Sequence, residues 1–413
     1  PFPAALPLEQ IPPRSSRRSM AEAAVGGPHL PKEIVTWEIL IRLPPKPLVR
    51  CRAVCRSWHR RLTSDSKFLF AHHRRQPSLP LVTTEDTHER RIDALDHSTG
   101  ERRPVARAAR TAADEHFEVL ASCDGLLILV AYGGVYICNP ATRQHAPLPL
   151  HHVYCIAGLY FHSPSGSYRV LCCLKTTEDG QFRAVYQVYT LGSGDLRCIG
   201  EALEPWTSGD LARAMPMMVL FQPHVLAGGR LYWQPIKLPG AGGNGKVNNM
   251  LVFDTMAESF QHLLSPVEGA FLEPFEMNDT LGLYDYRGST ADLWVLEDHE
   301  SWAWSLKHRI KSQVMAFSLV PDIQGGVLLL SDKGESGPLW QYLQHVSGAD
   351  GTISIRYEWS AYLKLRRHRF RESLVRHSFF SMEGNNGGGV DGKPLFDGLS
   401  TVKVLTADIS ELH

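Results

Sequence analysis

A short segment near the N-terminal end, residues 29–70, carries more apolar side chains than one helix face can hold. Seven of the ten residues from Ile34 to Leu43 are apolar. At about 100° per residue they cover nearly the whole circumference of a helix. Such a helix must be covered on two sides, and a segment of this length cannot provide that cover by itself. The pattern therefore predicts a partner protein, or close docking onto the rest of the chain.

Prolines divide this segment into three predicted short helices. Pro31 suits the first position of a helix, where its missing N–H costs nothing. Leu43 is expected to end that helix because the residue before a proline avoids the α region, and Pro47 can begin the next one. After that, apolar residues at i, i+4, i+7 and i+11 predict a single apolar face formed by Cys51, Cys55, Trp58 and Leu62. Phe68 is expected to fill the core of the unit.

Beyond residue 78 the pattern changes to short strands that recur in one arrangement. A glycine-marked apolar strand such as GLLILV precedes a second strand that ends in a turn, such as VYICNPATRQHAP. The turns are spaced by 43, 51, 64, 43 and 47 residues, with register marks at Asp96, Asn139, Thr190, Asp254, Glu297 and Gln344. Several strands in each period of 40–50 residues are typical of propeller blades. Six units are predicted. The alternative is a β-sandwich of the same strands that does not close into a ring. The C-terminal strand TVKVLTADI could contribute a further blade that closes the ring.

Composition narrows the classes of function. Lys+Arg and Asp+Glu both total 43 in a chain of 413 residues. The chain therefore carries no net positive charge that would attract nucleic acid or an anionic membrane. No apolar run approaches the roughly 18 residues of a membrane span. The eight cysteines are scattered without a CxxC pair, which indicates free thiols in a reducing compartment. We therefore expect a cytoplasmic or nuclear protein that contacts other proteins.

The helical segment resembles the F-box at nearly every position of the family's motif. The matching residues read LPxEI…IL.RLP.K.LVR.R.VCRSW..L..D..F. The resemblance implies docking on a Skp-family adaptor, which joins a cullin scaffold that carries the ubiquitin-transfer machinery. It implies that the adaptor-facing surface or its support is formed by Leu30, Pro31, Ile34, Ile39, Leu40, Leu43, Pro44, Leu48, Val49, Cys55 and Trp58. Two positions depart from the usual pattern, since Trp37 is bulky at a variable position and Pro47 replaces the common Ser.

The repeat region resembles the F-box-associated and kelch-like domains that follow F-boxes in plant proteins, through SCDGLLILV…CNPATRQHAPLP and HRFRESLVRHSFF. The expected fold class is multi-domain α+β: a small three-helix F-box, then an all-β propeller-like repeat domain with a C-terminal helix. The expected domains are a disordered extension at 1–27, an F-box at 28–75 and a substrate-recognition domain at 79–413. Met20 resembles a natural start, which favours an upstream extension over a targeting peptide for the residues before it.

The predicted C-terminal helix contains the basic run KLRRHRFR, residues 364–371. Its apolar positions are Leu363, Leu365, Phe370, Leu374 and Val375. The run could bind an acidic partner or serve as a nuclear address. The alternative, which we favour, is the charged outer face of the helix. The glycine-rich segment 383–393 is expected to be a flexible loop.

Other motifs are only weak indications of nucleotide binding, metal binding or catalysis. GAGGNGK, residues 240–246, satisfies a nucleotide-loop spacing, but Val247 follows where Ser or Thr would be needed and NNMLVFD predicts a strand instead of a helix. Cys51, Cys55 and His59 share a helix face, yet a fourth zinc ligand has no evident source. The acidic cluster around Glu297 fits a solvated turn better than acid–base catalysis. We therefore expect no cofactor and no metal.

The sequence predicts a non-catalytic substrate receptor of a Skp–cullin–F-box ubiquitin ligase. The F-box recruits the ligase, and the β domain presents an unidentified target protein. The receptor would thus promote ubiquitin transfer by holding the target close to the conjugating enzyme. Two alternatives stay open: an F-box scaffold that acts outside a ligase, and a glycan- or small-molecule-binding propeller with an accessory docking unit. A carboxylate pair converging on the central pocket would favour the propeller alternative.

Overall fold

A computed structural model describes residues 30–85, 89–96, 98–109, 116–150, 155–178, 181–201, 224–239, 246–267, 272–287, 290–311, 316–321, 327–332, 341–346, 353–359, 363–380, 395–396 and 402–403. The chain divides into two compact units, Pro1–Leu43 and Pro44–His413. The predicted extension at 1–27 and the predicted loop at 383–393 lie outside the described residues. The domain limits at 28–75 and 79–413 stay predictions.

The helices are short and irregular. The first unit contains α1 (Lys32–Ile34), a π-helical turn (Val35–Ile39) and a 3-10 turn (Leu40–Arg42). The second unit begins with α2 (Pro45–Arg50), a 3-10 turn (Cys51–Ala53), α3 (Arg56–Ser64) and α4 (Ser66–Arg75).

Side-chain caps explain where two of the helices begin. Cys55 caps α3, with its Sγ accepting the Trp58 N–H at 3.5 Å, and Asp65 caps α4 by accepting the Phe68 N–H at 3.1 Å. The predicted continuous apolar face from Cys51 to Leu62 was therefore wrong, because Cys55 has an extended backbone that interrupts the helix. Phe68 is fully buried, as predicted.

The strands of the described residues form six antiparallel sheets. The first sheet contains β1 (Leu79–Glu85), β2 (Glu89–Asp96) and β3 (Glu101–Ala109). The second contains β4 (Glu118–Cys123), β5 (Leu126–Ala131), β6 (Gly134–Asn139) and β7 (Gln144–Pro147). The third contains β8 (Cys155–His162), β9 (Ser167–Glu178), β10 (Gln181–Thr190) and β11 (Leu196–Glu201).

The remaining three sheets follow in chain order. The fourth contains β12 (Val225–Ala227), β13 (Arg230–Tyr232), β14 (Ile236–Pro239), β15 (Lys246–Asp254) and β16 (Ser259–Leu264). The fifth contains β17 (Leu272–Met277), β18 (Thr280–Arg287), β19 (Thr290–Asp298) and β20 (Ala303–Lys311). The sixth contains β21 (Ala316–Pro321), β22 (Val327–Asp332), β23 (Gln341–Val346) and β24 (Ile353–Trp359). Two C-terminal strands, β25 (Leu363–Phe370) and β26 (Val402–Lys403), join the first sheet on either side of β1–β3.

Strand β25 corrects the predicted C-terminal helix. It pairs antiparallel with β1, with Leu79 opposite Phe370 and Thr84 opposite Leu363. The open edge of β1 offers a row of backbone hydrogen bonds, and that pairing outweighs a local helical pattern. The basic run 364–371 therefore lies mainly in a strand, and the first sheet joins the two ends of the repeat region. Strand β26 adds to the other edge of the same sheet, beside β3, and begins no further blade there.

The core lies between successive sheets. Leu127 and Leu129 of β5 pack toward the first sheet, whereas Leu126 and Ile128 of the same strand pack toward the third. All four are fully buried, which explains why GLLILV is a continuous apolar run and not an alternating one. Edge strands of neighbouring sheets also contact one another, β25 with β4 and β4 with β8. The predicted propeller is confirmed, and the sandwich alternative was wrong.

Three of the six predicted register marks, Asp96, Asn139 and Asp254, cap turns with their side chains. The carboxylate of Asp254 at the end of β15 accepts the N–H groups of Met256 and Ala257, both at 2.9 Å. Asn139 at the end of β6 does the same for Ala141 and Thr142. A short Asp or Asn side chain that bonds the backbone two and three residues on favours such a turn. Each of the six marks lies in a different sheet, so the repeat spacing correctly separated the units.

Candidate functional site

The first unit presents an exposed apolar pair on its helical segment. Ile34 and Ile39 are 42% and 44% exposed, and Leu30 is also exposed. On the other side of the segment Thr36 and Leu40 are buried. The helix that is apolar all round is thus divided into a covered side and an uncovered side.

The second unit exposes apolar side chains on the short helices that follow. Val49 of α2 is partly exposed, and Val54 in the turn before α3 is 64% exposed. Leu48 and Leu62 are fully buried and support this surface from inside. The Arg52 guanidinium donates to the Leu62 carbonyl at 2.7 Å and 3.0 Å, which joins the 3-10 turn to the last part of α3.

The predicted adaptor-facing residues fall into three groups of exposure. Exposed side chains belong to Leu30, Pro31, Ile34, Ile39, Pro44, Val49 and Cys55. Leu43 and Trp58 are half-buried, whereas Leu40 and Leu48 are buried. Sequence reasoning missed Val54, whose position between two short helices no periodic pattern indicates.

Helix α4 is held against the propeller through His73. Its Nδ1 lies 3.0 Å from the Glu372 carbonyl oxygen, and its Nε2 lies 3.6 Å from Oδ1 of Asp124 in the turn between β4 and β5. The Arg371 guanidinium donates to the Arg74 carbonyl at 3.4 Å. The residues after β25 therefore link the last helix of the helical segment to the second sheet.

The segment that makes these contacts, residues 371–380, is called the strap. Ser373, Leu374 and Val375 are buried within it, and the Asn139 side chain donates to the Val375 carbonyl at 3.2 Å. Phe380 packs in the core between the second and third sheets. The strap corresponds to much of the HRFRESLVRHSFF signal, and its function here is to connect three sheets with α4.

A buried acidic group connects the third and fourth sheets. Glu258, in the turn between β15 and β16, accepts the Tyr160 hydroxyl at 2.7 Å and pairs with Arg169 at 2.5 Å and with Arg197. Burial raises the pKa of Tyr160, so its phenol stays a donor. The carboxylate is satisfied on both oxygens, which is the condition for burying a charge without a large penalty.

A cavity of about 150 Å³ is lined by residues of the edge strands β4, β12, β17 and β25. Three of its lining side chains are the buried histidines His73, His224 and His368. Burial lowers the pKa of His224 to about 4, so its imidazole is neutral near pH 7. The walls hold carboxylates of Asp124 and Glu276 together with guanidinium groups of Arg369 and Arg371, so charges of both signs line the cavity.

The other motifs that the sequence analysis considered for catalysis or metal binding lie in turns and strands. Asp298 accepts backbone N–H groups of Glu300 and Ser301, both at 3.1 Å, which makes the acidic cluster a turn between β19 and β20. Within the described part of the chain no three His, Cys, Asp or Glu side chains come together as a metal ion would require. NNMLVFD forms strand β15 as predicted, whereas residues 240–245 of the glycine-rich motif lie outside the described residues. Among the helices that the structure describes, none is long and apolar enough to span a membrane.

Comparison with known proteins identifies both regions. The F-box-like family matches residues 28–75, and the family described as F-box associated beta propeller domain matches residues 82–335, more than half of the chain. The chain belongs to the F-box proteins with an F-box associated propeller. The helical segment is thus an F-box, and the range matched by the propeller family contains the second to fifth sheets and part of the first and sixth.

Named relatives agree with this membership. The F-box protein At5g49610 of Arabidopsis thaliana is 23% identical over 84% of this chain and 98% of its own length. The F-box protein CPR1 of the same plant is 24% identical over 70% of this chain and 75% of its own. Among solved structures, TolB from Acinetobacter baumannii matches 73% of this chain and 65% of its own, at 12% identity and a TM-score of 0.40.

Proposed function

We propose that this F-box protein is the substrate-receptor subunit of a Skp–cullin–F-box ubiquitin ligase. Its F-box docks on a Skp-family adaptor and, through it, a cullin, while the propeller presents a target protein for ubiquitination. The observation that carries the proposal is the exposed apolar pair Ile34 and Ile39 on a segment that matches the F-box-like family. Two exposed isoleucines on one short segment are costly in water unless a partner covers them.

The receptor adds no chemistry of its own. It raises the effective concentration of a bound target beside the conjugating enzyme, so the rate gain is one of proximity. All eight cysteines are free thiols, which supports action in a reducing compartment such as the cytoplasm or nucleus.

Co-purification with a Skp-family adaptor tests the docking step. The wild-type chain is expected to bind, and an Ile34→Asp, Ile39→Asp double variant is expected to lose at least about tenfold in affinity because two buried contacts are lost. Met256→Asp is the matched control, since Met256 is an exposed apolar residue in a propeller turn. Leu40 is a poor site for this test because it is buried, and a charge there would unfold the segment.

Adaptor binding by the double variant at wild-type affinity would show that another surface docks. If the folded wild-type chain does not bind the adaptor, the receptor proposal is wrong. A reconstituted adaptor–cullin complex that binds this chain and yet never modifies any co-purified protein would instead favour the scaffold alternative.

A further inference from the structure

The F-box helix contains a wide turn. The Leu40 N–H donates to the carbonyl of Val35, five residues earlier, and shares that bond with the carbonyl of Thr36. Before this turn, the Val35 N–H bonds to the Pro31 carbonyl in the ordinary α pattern. A single π turn inside a helix takes up about one residue more than an α turn. The helix therefore holds one residue that a regular helix of the same span would not.

The wide turn decides which side chains share a face. In a regular α-helix Ile34 and Ile39, five positions apart, would point about 140° from each other. Ile39 would then lie within about 60° of Thr36, which is buried. The π turn reduces the angle between the two isoleucines to roughly 50°. The observed burial agrees with the π turn, because both isoleucines are exposed while Thr36 and Leu40 are buried.

The charged residue that precedes Ile39 is paired within the segment. Glu38 is exposed, and its carboxylate accepts from the Arg42 guanidinium at 2.6 Å. A neutralised pair beside two isoleucines suits a flat apolar partner surface. The family match extends over the whole turn, so the adaptor is the partner that this face fits.

We propose that the π turn absorbs one extra residue of this F-box and thereby keeps Ile34 and Ile39 together on the face that the Skp-family adaptor contacts. This inference rests on the proposed function. It assigns the turn a positioning role in adaptor binding, and it makes the spacing between the two isoleucines the quantity that matters.

Changes of spacing in the full-length chain test the inference by titration calorimetry with a Skp-family adaptor. Deletion of Trp37 places the isoleucines four apart in an ordinary α turn, about 40° from each other. We expect its affinity to stay within about threefold of wild type. Insertion of one alanine after Trp37 rotates Ile39 onto the buried side, and we expect a loss of at least about tenfold.

Trp37→Ala is the matched control, because it removes the side chain without changing the spacing, and we expect it to bind like the deletion. Loss of binding by a folded deletion variant, or binding at wild-type affinity by the insertion variant, would overturn the inference. The proposed function fails separately, if the wild-type chain does not bind at all. A lower melting temperature of the Ile34→Asp, Ile39→Asp variant without adaptor would show that the chain itself covers this face, which also overturns the inference.

Discussion

Gly125 and Ser373 meet so closely that a methyl group on the glycine would overlap the Cβ of the serine and come within 2.8 Å of the Arg371 carbonyl oxygen. The glycine also has a φ of +83°, a region in which other residues are strained. Two requirements for glycine thus coincide at the turn where the strap passes over the second sheet. Through His73, the same turn holds helix α4.

This contact predicts a strong effect of Gly125→Ala on stability. The strain of the turn costs about 1–2 kcal/mol, and the overlap with the strap adds about 1–3 kcal/mol. Gly133→Ala is a matched control, since Gly133 has a φ of +73° in the next turn of the same sheet and no described atom within 4 Å of an added Cβ. Chemical denaturation should show the larger loss for Gly125→Ala. Equal losses would mean that the strap does not pack on this turn.

His73→Ala is expected to loosen helix α4 from the propeller. The variant leaves the Glu372 carbonyl without this partner and removes the contact with Asp124, at a cost of about 1–3 kcal/mol. Hydrogen exchange of the backbone amides in α4 should become faster. His59→Ala, at an exposed position on α3, should leave exchange in α4 unchanged. Unchanged exchange in the His73 variant would show that other contacts hold the helix.

Glu258→Gln is expected to destabilise the propeller by about 3 kcal/mol, because it leaves the Arg169 guanidinium partly buried without its counter-charge. Thermal unfolding measures this loss. Asp292→Asn is the control, since Asp292 pairs with the exposed Arg309 within one sheet and should matter much less. Similar melting temperatures for the two variants would argue against a bridge between the third and fourth sheets.

His224 predicts a loss of stability in mild acid. Its pKa is lowered from an ordinary value of 6.5 to about 4 by burial. The unfolded chain therefore binds a proton below about pH 6.5, whereas the folded chain does so only near pH 4. The stability contribution is present above pH 6.5 and falls by about 3 kcal/mol as the pH drops to 4.

Melting temperatures at pH 7, 6, 5 and 4.5 measure this effect in wild type and in His224→Phe, each relative to its own value at pH 7. The variant should show the smaller fall. His377, whose pKa is also lowered to about 4 by burial, leaves part of the fall in place. Parallel curves would show that His224 does not titrate in this range.

The local patterns of the sequence determined the elements and their order. Proline positions divided the F-box into short helices, and the recurring spacing of turn positions such as Asp254 separated six units. Apolar runs such as GLLILV indicated strands. These signals are local, because caps, turns and periodicity depend on residues only a few positions apart.

Tertiary structure decided what no local pattern contains. Residues 363–370 form a strand because β1, nearly 300 positions away, offers an open edge. The contact of His73 with Asp124, and that of Gly125 with the strap, likewise join residues far apart in the chain. In the F-box, the apolar composition predicted a partner surface, but only the π turn between Val35 and Ile39 decided which isoleucines lie on the exposed side. The physical reason is that one wide turn rotates every side chain that follows it about the helix axis, and the amino-acid composition contains no information about that rotation.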